Sequence, residues 1–420
     1  MRKILIVGGG QSGLHLAHGL LTRGYDVTIM SAQSSGEVRR ASPSTTQFSL
    51  PLALSSEREL GLDLWSAQAP RISGARLELH PPYMPPAVLS GSFAAHGNGF
   101  GVAVDRRVKM ADWLEFFEDQ GGKVVIHGAT LTDVDYFSRM YDLTIVAVGG
   151  GELGAVFDVD QSRLGGGHQR VITQVLVDRV EPALTDYADV VSAAQGRILI
   201  APVLTADGPA YSVCVMGEPG GPLDGSHLRP ERGRPHPGQV AEWIVGTLAR
   251  EFPDVAARIQ HGAPLDATAA LVSRVRPHVR KPVQRLSGGA VLGMADAVVS
   301  TDPIGGQGWN LSSLCAQVYL QRIVEHGDQT FTPDWQQETF EAFWRSGGES
   351  AARLSDLLHR MWDPEAAEAM PHLTEVLFAA AQHQSVADRF IGDLADPRRY
   401  DTWLYDPESA SAFLNEAAPA

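Results

Sequence analysis

Ile4-Leu5-Ile6-Val7-Gly8-Gly9-Gly10-Gln11-Ser12-Gly13-Leu14 is the stretch that decides the fold of this 420-residue chain. Four apolar residues predict a buried parallel strand, and Gly8, Gly10 and Gly13 follow it at the spacing G-x-G-x-x-G. Glycines at this spacing form a tight turn, let a diphosphate approach the backbone and allow a helix to pack on the strand. An apolar helix and a second strand over residues 25–30 follow, which favours a dinucleotide site over a glycine turn without a cofactor.

At the end of the second predicted strand, dinucleotide-binding domains usually place an acid that holds the adenosine ribose, and here that position falls near Ser31. No Asp or Glu follows until Glu37. Either the Ser31 hydroxyl replaces the carboxylate, or Arg39 or Arg40 contacts the dinucleotide. The departure weakens an assignment to NAD more than one to FAD, because FAD distributes its contacts over a longer molecule.

Composition indicates a globular, mildly acidic chain with 44% hydrophobic residues and a formal net charge of −15. That charge argues against binding to nucleic acid or to an anionic membrane surface, and no apolar run approaches the length of a membrane-spanning helix. Cys214 and Cys315 lie far apart and outside any C-x-x-C spacing, which is typical of reduced thiols in a cytoplasmic protein. The histidines lack the spacing of metal ligands, so no metal site is predicted.

The pattern of apolar residues predicts a series of further elements along the chain. They are a helix over 55–65, strands over 76–80 and 91–96, an amphipathic helix after 105–107, buried strands over 123–127 and 143–148, a separate antiparallel sheet over 170–216, a helix over 239–252 and a strand over 290–294. Beyond residue 330, aromatic and aliphatic residues recur at helical spacing. We interpret these residues as a packing face and not as a second active site.

Gly149-Gly150-Gly151-Glu152-Leu153-Gly154 repeats the G-x-G-x-x-G spacing. A second dinucleotide domain, as in a pyridine-nucleotide disulfide-type reductase, would require a long apolar helix immediately after this turn. The chain continues instead into a glycine-rich loop over residues 158–167. The pattern therefore favours a turn at Gly149 that passes close to the same cofactor as Gly8.

The most specific signal lies in Gly293-Met294-Ala295-Asp296-Ala297-Val298-Val299-Ser300-Thr301-Asp302-Pro303-Ile304-Gly305-Gly306-Gln307-Gly308-Trp309-Asn310-Leu311. A strand ends in Gly-x-x-Asp, a proline turn follows, and glycines open a helix near Trp309. The beginning of such a helix presents free backbone N–H groups and the positive end of its dipole, which suits a phosphate or an electron-rich flavin edge. Asp296 is predicted to accept hydrogen bonds from ribityl hydroxyls.

With these motifs the chain resembles the flavoprotein aromatic hydroxylase superfamily, and within it the epoxidase component of two-component styrene monooxygenases and the related indole monooxygenases. The motifs, in the order of that family, are residues 8–14, 103–107, 142–146 and 302–310. Trp309 stands where the family has a small residue, and residues 76–99 share little beyond their strand pattern. These departures leave the substrate open.

The resemblance implies an α/β fold with a glutathione-reductase-like Rossmann domain for FAD, an antiparallel β-sheet substrate domain and a C-terminal helical region. The corresponding boundaries are residues 1–72, 100–165 and 288–328 for the FAD-binding domain, 73–99 and 166–287 for the substrate domain, and 329–420 for the helical region. The resemblance also implies a homodimer.

The function that the resemblance implies is that of a flavin-dependent monooxygenase. FAD would be used as FADH₂, supplied by a separate NADH-dependent flavin reductase, so that NADH acts only indirectly. O₂ would form a flavin hydroperoxide that epoxidises or hydroxylates a small aromatic or indolic substrate. Two alternatives remain, namely a self-sufficient NAD(P)H-dependent aromatic hydroxylase and a non-catalytic flavin-binding redox module.

Matching positions to the family assigns a set of site residues. Those expected to bind the cofactor are Gly8, Gly10, Gln11, Ser12, Gly13, Ser31, Arg40, Arg106, Arg107, Gly149, Asp296, Pro303, Gly305, Gly306, Gly308 and Asn310. Those expected to border the flavin ring as catalytic residues are Gln47, Pro303, Gln307 and Asn310. Gln47 could equally be an ordinary loop glutamine, Arg106 and Arg107 solvated charges at a helix start, and Asp302 only a turn former.

Overall fold

The computed structural model describes residues 2–82, 84–163 and 168–417. Its strands, in chain order, are β1 (Lys3–Val7), β2 (Asp26–Ser31), β3 (Phe48–Ser49), β4 (Arg71–Ile72), β5 (Gly74–His80), β6 (Ala87–Ser92), β7 (Gly101–Ala103), β8 (Lys123–Ile126), β9 (Leu143–Val146), β10 (Arg170–Val177), β11 (Tyr187–Ala193), β12 (Gly196–Thr205), β13 (Gly208–Gly217), β14 (Ala270–Val275), β15 (His278–Val279), β16 (Val283–Arg285), β17 (Ala290–Gly293) and β18 (Val299–Ser300).

Helices lie between these strands and fill the C-terminal part of the described chain. They are α1 (Gln11–Leu21), α2 (Ser35–Arg39), α3 (Pro51–Glu59), α4 (Arg106–Asp119), α5 (Leu131–Phe137), α6 (Gly151–Ala155), α7 (Pro237–Glu251), α8 (Pro253–Ile259), α9 (Gly308–His326), α10 (Pro333–Phe343), α11 (Glu349–Arg360), α12 (Pro364–Ala369), α13 (Pro371–Gln382), α14 (Gln384–Gly392) and α15 (Pro407–Ala417). Within the described residues, no helix combines the length and the apolar character that crossing a bilayer requires.

A six-stranded sheet in the order β16-β17-β9-β1-β2-β8 forms the first layer of the fold. β1 lies between β2 and β9 and is parallel to both, and residues Ile4 to Val7 are buried. α1 packs on α9 and on α4, so that helices cover the sheet as a parallel sheet requires. The predicted Rossmann-type start of the chain is confirmed, as is the α/β fold class.

A seven-stranded sheet in the order β14-β10-β13-β12-β11-β5-β6 forms the second layer. All its pairs are antiparallel except β5 with β11, which run parallel in register from Gly74 opposite Tyr187 to His80 opposite Ala193. The antiparallel sheet predicted over 170–216 is confirmed within those residues, and the one parallel pair joins it to β5. The strands over 76–80 and 91–96 belong to the same sheet, and β11 was missed.

Helices pack on both faces of the seven-stranded sheet. On one face, β10, β12 and β13 form a core with α7 and α8, in which Val240, Ile244 and Leu248 are buried. On the other face, the C-terminal helices α11, α13 and α14 bury Leu354, Val376 and other apolar side chains against the sheet and the segment around Leu50. The predicted helical packing face after residue 330 is confirmed.

Several predicted element bounds were wrong. The helix expected over 55–65 is α3, which begins at Pro51 because proline is favoured in the first helical turn, and it ends before Gly61 at φ +69°. The strand expected over 91–96 is β6, which ends at Ser92. The strand expected to be buried over 123–127 is the edge strand β8, where Ile126 is 49% exposed because only β2 pairs with it.

The second glycine fingerprint leads into α6, a helix of only five residues. This confirms that no long helix follows Gly149. The last part of the predicted loop over 158–167, and the predicted domain boundary between residues 165 and 166, lie outside the described residues. Cys214 and Cys315 are both buried and unpaired.

Candidate flavin and substrate site

The glycine turn between β1 and α1 is built for close backbone approach. Gly8 has φ +127°, and its N–H donates to the Met30 carbonyl at 2.9 Å, which ties the turn to β2. A Cβ atom on Gly13 would lie only 2.1 Å from the Gly8 carbonyl oxygen. α1 begins after Gly10 with no side-chain cap and no acid in its first turn, so its free N–H groups form an anion site.

A cleft of about 530 Å³ opens over this turn and runs along the carboxyl ends of β1, β2 and β9. Of the predicted cofactor residues, the structure brings the following to its wall: Gly8, Gly10, Gln11, Ser12, Ser31, Arg106, Arg107, Gly149 and Asp296. Gln47, predicted to border the flavin ring, also lines the cleft. Gly13 lies beneath the turn and acts through packing.

Arg106 and Asp296 place opposite charges on the cleft. The Arg106 guanidinium lies beside the glycine turn, with Nη2 3.8 Å from the position of a Cβ atom on Gly10. Desolvation raises the pKa of Asp296 to about 6, against the opposing effect of Arg106, although solvent in the cleft reaches this carboxyl. Gly149 packs on Asp296, since a Cβ there would approach the Asp296 Cβ to 2.8 Å.

Of the three arginines predicted to bind the cofactor, Arg107 and Arg40 are directed elsewhere. Arg107 folds back on the cap of its own helix, where Nη2 lies 2.7 Å from Asp105 Oδ2 and Nη1 donates to Thr268 Oγ1 at 2.6 Å. Arg40 lies outside the cleft, on a neighbouring surface groove that it shares with Arg107 and Arg234. Among the described residues, Arg106 is therefore the arginine whose guanidinium lies beside the glycine turn.

Ser31 occupies the position of the missing acid, and its Oγ lies 3.0 Å from the position of a Cβ atom on Gly9. The hydroxyl donates to the Gln33 carbonyl at 2.7 Å. Ser31 thus narrows the cleft at the end of β2 without adding a negative charge.

The turn before α9 separates the cleft from a second cavity. Asp302 accepts from the Ile304 N–H at 3.0 Å and from Arg170 Nη2 at 2.8 Å, so it is more than a turn former. Gly306, at φ +65°, closes the turn. α9 then begins without a side-chain cap and without an acid in its first turn, which leaves its N–H groups free for an electron-rich partner.

The second cavity has a volume of about 110 Å³ and lies between the seven-stranded sheet and the C-terminal helices. Pro303, Gly305, Gly306 and Gln307 line it, together with apolar side chains such as Phe93, Leu358 and Phe390. Phe48 lines this cavity, whereas its neighbour Gln47 lines the cleft. The predicted contacts Gly308 and Asn310 line neither the cleft nor the cavity.

Three of the predicted site residues carry buried polar atoms without a partner. Among the described residues, Gln11 Oε1, Gln47 Oε1 and Asn310 Nδ2 are buried without a hydrogen-bond partner. Asn310 Oδ1 accepts from the Leu50 N–H at 3.0 Å, which fixes the amide. Buried polar atoms without partners are costly, so they point to a ligand that supplies both donors and acceptors.

A buried network beneath the cleft was not predicted. Lys109 Nζ lies 2.7 Å from both carboxylate oxygens of Glu57 and 2.9 Å from Ser49 Oγ. Trp309, on the cleft wall, donates to the same Ser49 Oγ at 3.1 Å, and Gln11 donates to Glu57 at 3.0 Å. The only sequence signal was a lysine on the apolar face of α4, which a helical pattern alone assigns to solvent.

Comparison with known proteins supports the resemblance to styrene monooxygenases that the sequence motifs indicate. Residues 149–258 match the family model described as "Styrene monooxygenase A putative substrate binding domain". The whole chain is 24% identical over 431 residues to the styrene monooxygenase StyA of Pseudomonas fluorescens, covering 100% of this chain and 99% of that protein.

Solved structures show the fold. A flavoprotein/dehydrogenase from Cytophaga hutchinsonii superposes with a TM-score of 0.65 at 16% identity, covering 95% of this chain and 94% of that one. A p-nitrophenol 4-monooxygenase from Pseudomonas putida gives a TM-score of 0.64 at 14% identity, covering 94% and 99%. The chain has the fold of flavin-dependent monooxygenases and resembles the styrene monooxygenases along its full length, as its motifs predicted.

Proposed function

We propose that this chain is the oxygenase component of a two-component monooxygenase, which uses reduced FAD and O₂ to epoxidise or hydroxylate a small aromatic or indolic substrate. One observation carries the proposal. A cleft with a dinucleotide fingerprint lies beside an apolar cavity that the 303–307 turn lines, and the consecutive residues Gln47 and Phe48 line the cleft and the cavity respectively. A flavin held in the cleft would present its ring edge to a molecule in the cavity.

The residues of the cleft fit FAD. The N–H groups at the start of α1 and the guanidinium of Arg106 suit its diphosphate, because both place positive charge at the glycine turn. Asp296 offers an acceptor to ribityl hydroxyls. Gln47 and Asn310 offer the unpartnered amide atoms that the polar edge of an isoalloxazine requires.

Bound reduced FAD would activate O₂, and the protein would position the substrate and exclude water. The apolar wall of the cavity excludes water and holds the substrate against the turn at residues 303–307. Benzene occupies a cavity of ~150 Å³ in another protein, so a cavity of about 110 Å³ restricts the substrate to one small molecule.

A separate NADH-dependent flavin reductase is part of the proposal, with NADH acting only through that partner. The long helix needed for a second nucleotide site is missing after Gly149, where α6 has five residues. The similarity to a styrene monooxygenase over the whole chain supports the same arrangement. We further propose a cytoplasmic homodimer, with the FAD-binding, substrate and helical parts divided as the resemblance implies.

Anaerobic reduction separates this proposal from a self-sufficient hydroxylase. The FAD-loaded protein is mixed with NADH or NADPH, with and without a flavin reductase, and the flavin absorbance is followed. We expect bleaching only when the reductase is present, because the described chain has a single fingerprint followed by a long helix.

Rapid bleaching by NADH or NADPH alone would rule out the two-component assignment. Bleaching with the reductase, followed by reoxidation in air without product from styrene, indole or a thioether, would instead favour a non-catalytic flavin-binding redox module.

A further inference from the structure

Arg197 introduces a charge into the wall of the apolar cavity. It is the second residue of β12, its side chain is buried, and among the described residues it is the one charged side chain that lines this cavity. The other residues that line the cavity include Leu199, two residues further along β12, and Leu354 and Leu358 of α11. An arginine in such surroundings normally has a carboxylate partner, because burying an unpaired charge is costly.

The hydrogen bonds of the Arg197 guanidinium are incomplete. Nη1 donates to the Ile304 carbonyl, and Nη2 reaches Ser192 Oγ only at 3.4 Å. Nε is buried and has no acceptor among the described residues. The acceptors that bond to this guanidinium are therefore neutral. They use part of its hydrogen-bonding capacity and do not balance its positive charge.

Asp302, the carboxylate whose charge acts on Arg197, is already engaged by another arginine. Arg170 Nη2 lies 2.8 Å from Asp302 Oδ2, and Arg170 Nε lies 3.2 Å from Oδ1. Two buried guanidinium groups thus share one buried carboxylate, which leaves an excess positive charge. Glu218 lies 4.0 Å from Arg170, but its side chain is 51% exposed and compensates little.

Other groups around Arg197, Arg170 and Asp302 do not balance the excess positive charge. His359 accepts a hydrogen bond from Arg170 at Nδ1, and burial together with Arg170 lowers its pKa, so it is neutral. Burial lowers the pKa of Arg197 to about 10, so this guanidinium stays protonated at neutral pH. The residues outside the described ranges contain no Asp or Glu.

We propose that the cavity binds a small aromatic molecule that carries a carboxylate, and that Arg197 pairs with this carboxylate. The aromatic part rests on the proposed function, whereas the carboxylate rests on the charge balance of Arg197, Arg170 and Asp302. A planar guanidinium matches a carboxylate geometrically, and in an apolar cavity the pair would be well shielded from water.

Ligand binding to the oxidised, FAD-loaded protein tests this inference without turnover. Isothermal titration calorimetry compares 4-vinylbenzoate with styrene and with 4-methylstyrene, a neutral control of similar size. We expect 4-vinylbenzoate to bind at least about tenfold more tightly than either neutral compound. Arg197→Met should remove this preference, Arg197→Lys should keep part of it, and the exposed Arg250→Met should keep all of it.

Equal affinities in the wild-type protein, or an undiminished preference in Arg197→Met, would overturn the inference. The wild-type ratio decides the matter even if Arg197→Met fails to retain FAD. Turnover with reductase, NADH and O₂ then separates the two proposals. Oxygenation of styrene without a preference for 4-vinylbenzoate would refute only the carboxylate, and Arg197-dependent binding without oxygenation of any alkene would refute only the proposed activity.

Discussion

Gly13→Ala is expected to weaken FAD binding by about 10- to 100-fold and to lower the free energy of unfolding by about 1–3 kcal/mol. The new Cβ would lie 2.1 Å from the Gly8 carbonyl oxygen and 3.3 Å from Ile6 Cγ2. The oxygen belongs to the backbone of the glycine turn, so either α1 or the turn must move away. Both hold the proposed diphosphate site. Flavin fluorescence titration of the apoprotein measures the affinity, and urea unfolding measures the stability.

Gly246→Ala is the matched control, because Gly246 also lies within a helix, α7, and among the described residues no atom beyond the backbone of its own helix lies within 4 Å of its added Cβ. This variant should bind FAD as the wild type does and gain about 0.5–1 kcal/mol of stability, since alanine is the better helix former. A folded Gly13→Ala protein with wild-type FAD affinity would show that the fingerprint does not hold the cofactor.

Lys109→Met is expected to lower the free energy of unfolding by about 3–5 kcal/mol, because it leaves the Glu57 carboxylate buried without a counter-charge. The side chains of Lys109 and Glu57 are only 2% and 1% exposed. The variant also removes the ammonium from beneath Trp309, whose ring centroid lies 5.0 Å from Nζ. The midpoint of urea unfolding should fall accordingly.

Two further variants test the cause of this effect. Lys109→Met combined with Glu57→Gln should recover most of the lost stability, because no unpaired charge remains buried. Lys123→Met breaks a pair of the same 2.7 Å N–O distance with Asp26, but the Lys123 side chain is 62% exposed. It should change the midpoint little, since exposed pairs are screened by solvent. A similar loss in both single variants would contradict the account.

Local patterns in the sequence were sufficient to predict the frame of the fold. The glycine spacing after β1 and the glycine turn before α9 each act within a few residues, so their backbone consequences can be worked out without the rest of the chain. The end of β2 at Ser31 was also located correctly, to within one residue of the predicted strand. The predicted α/β fold with a helical C-terminal region followed from these signals.

Features that depend on distant parts of the chain could not be predicted. Lys109 and Glu57 are 52 residues apart, and Arg170 and Asp302 are 132 apart, so no spacing rule connects them. Arg106 and Arg107 looked equivalent in sequence. Asp105 caps α4 and accepts from Arg107 Nε at 2.9 Å, which turns Arg107 away from the glycine turn and leaves Arg106 beside it.

The substrate cavity is the clearest case of long-range assembly. Its wall combines Phe48 near the amino terminus, Arg197 on β12 and Phe390 on α14. The C-terminal apolar residues had been interpreted only as a packing face, yet Leu354, Leu358 and Phe390 also line this cavity. Helical spacing identifies such residues as buried, but it does not show whether a neighbouring residue or a ligand covers them.

Isotope labelling of the product tests the central proposal most directly. The FAD-loaded protein is incubated under ¹⁸O₂ with a flavin reductase, NADH and a panel of styrene, 4-vinylbenzoate, indole and a thioether, and the products are analysed by mass spectrometry. We expect at least one product to carry a single ¹⁸O atom, and only when the reductase is present. An absence of oxygenated product across the panel, or a product whose added oxygen comes from water, would contradict the proposed monooxygenase function.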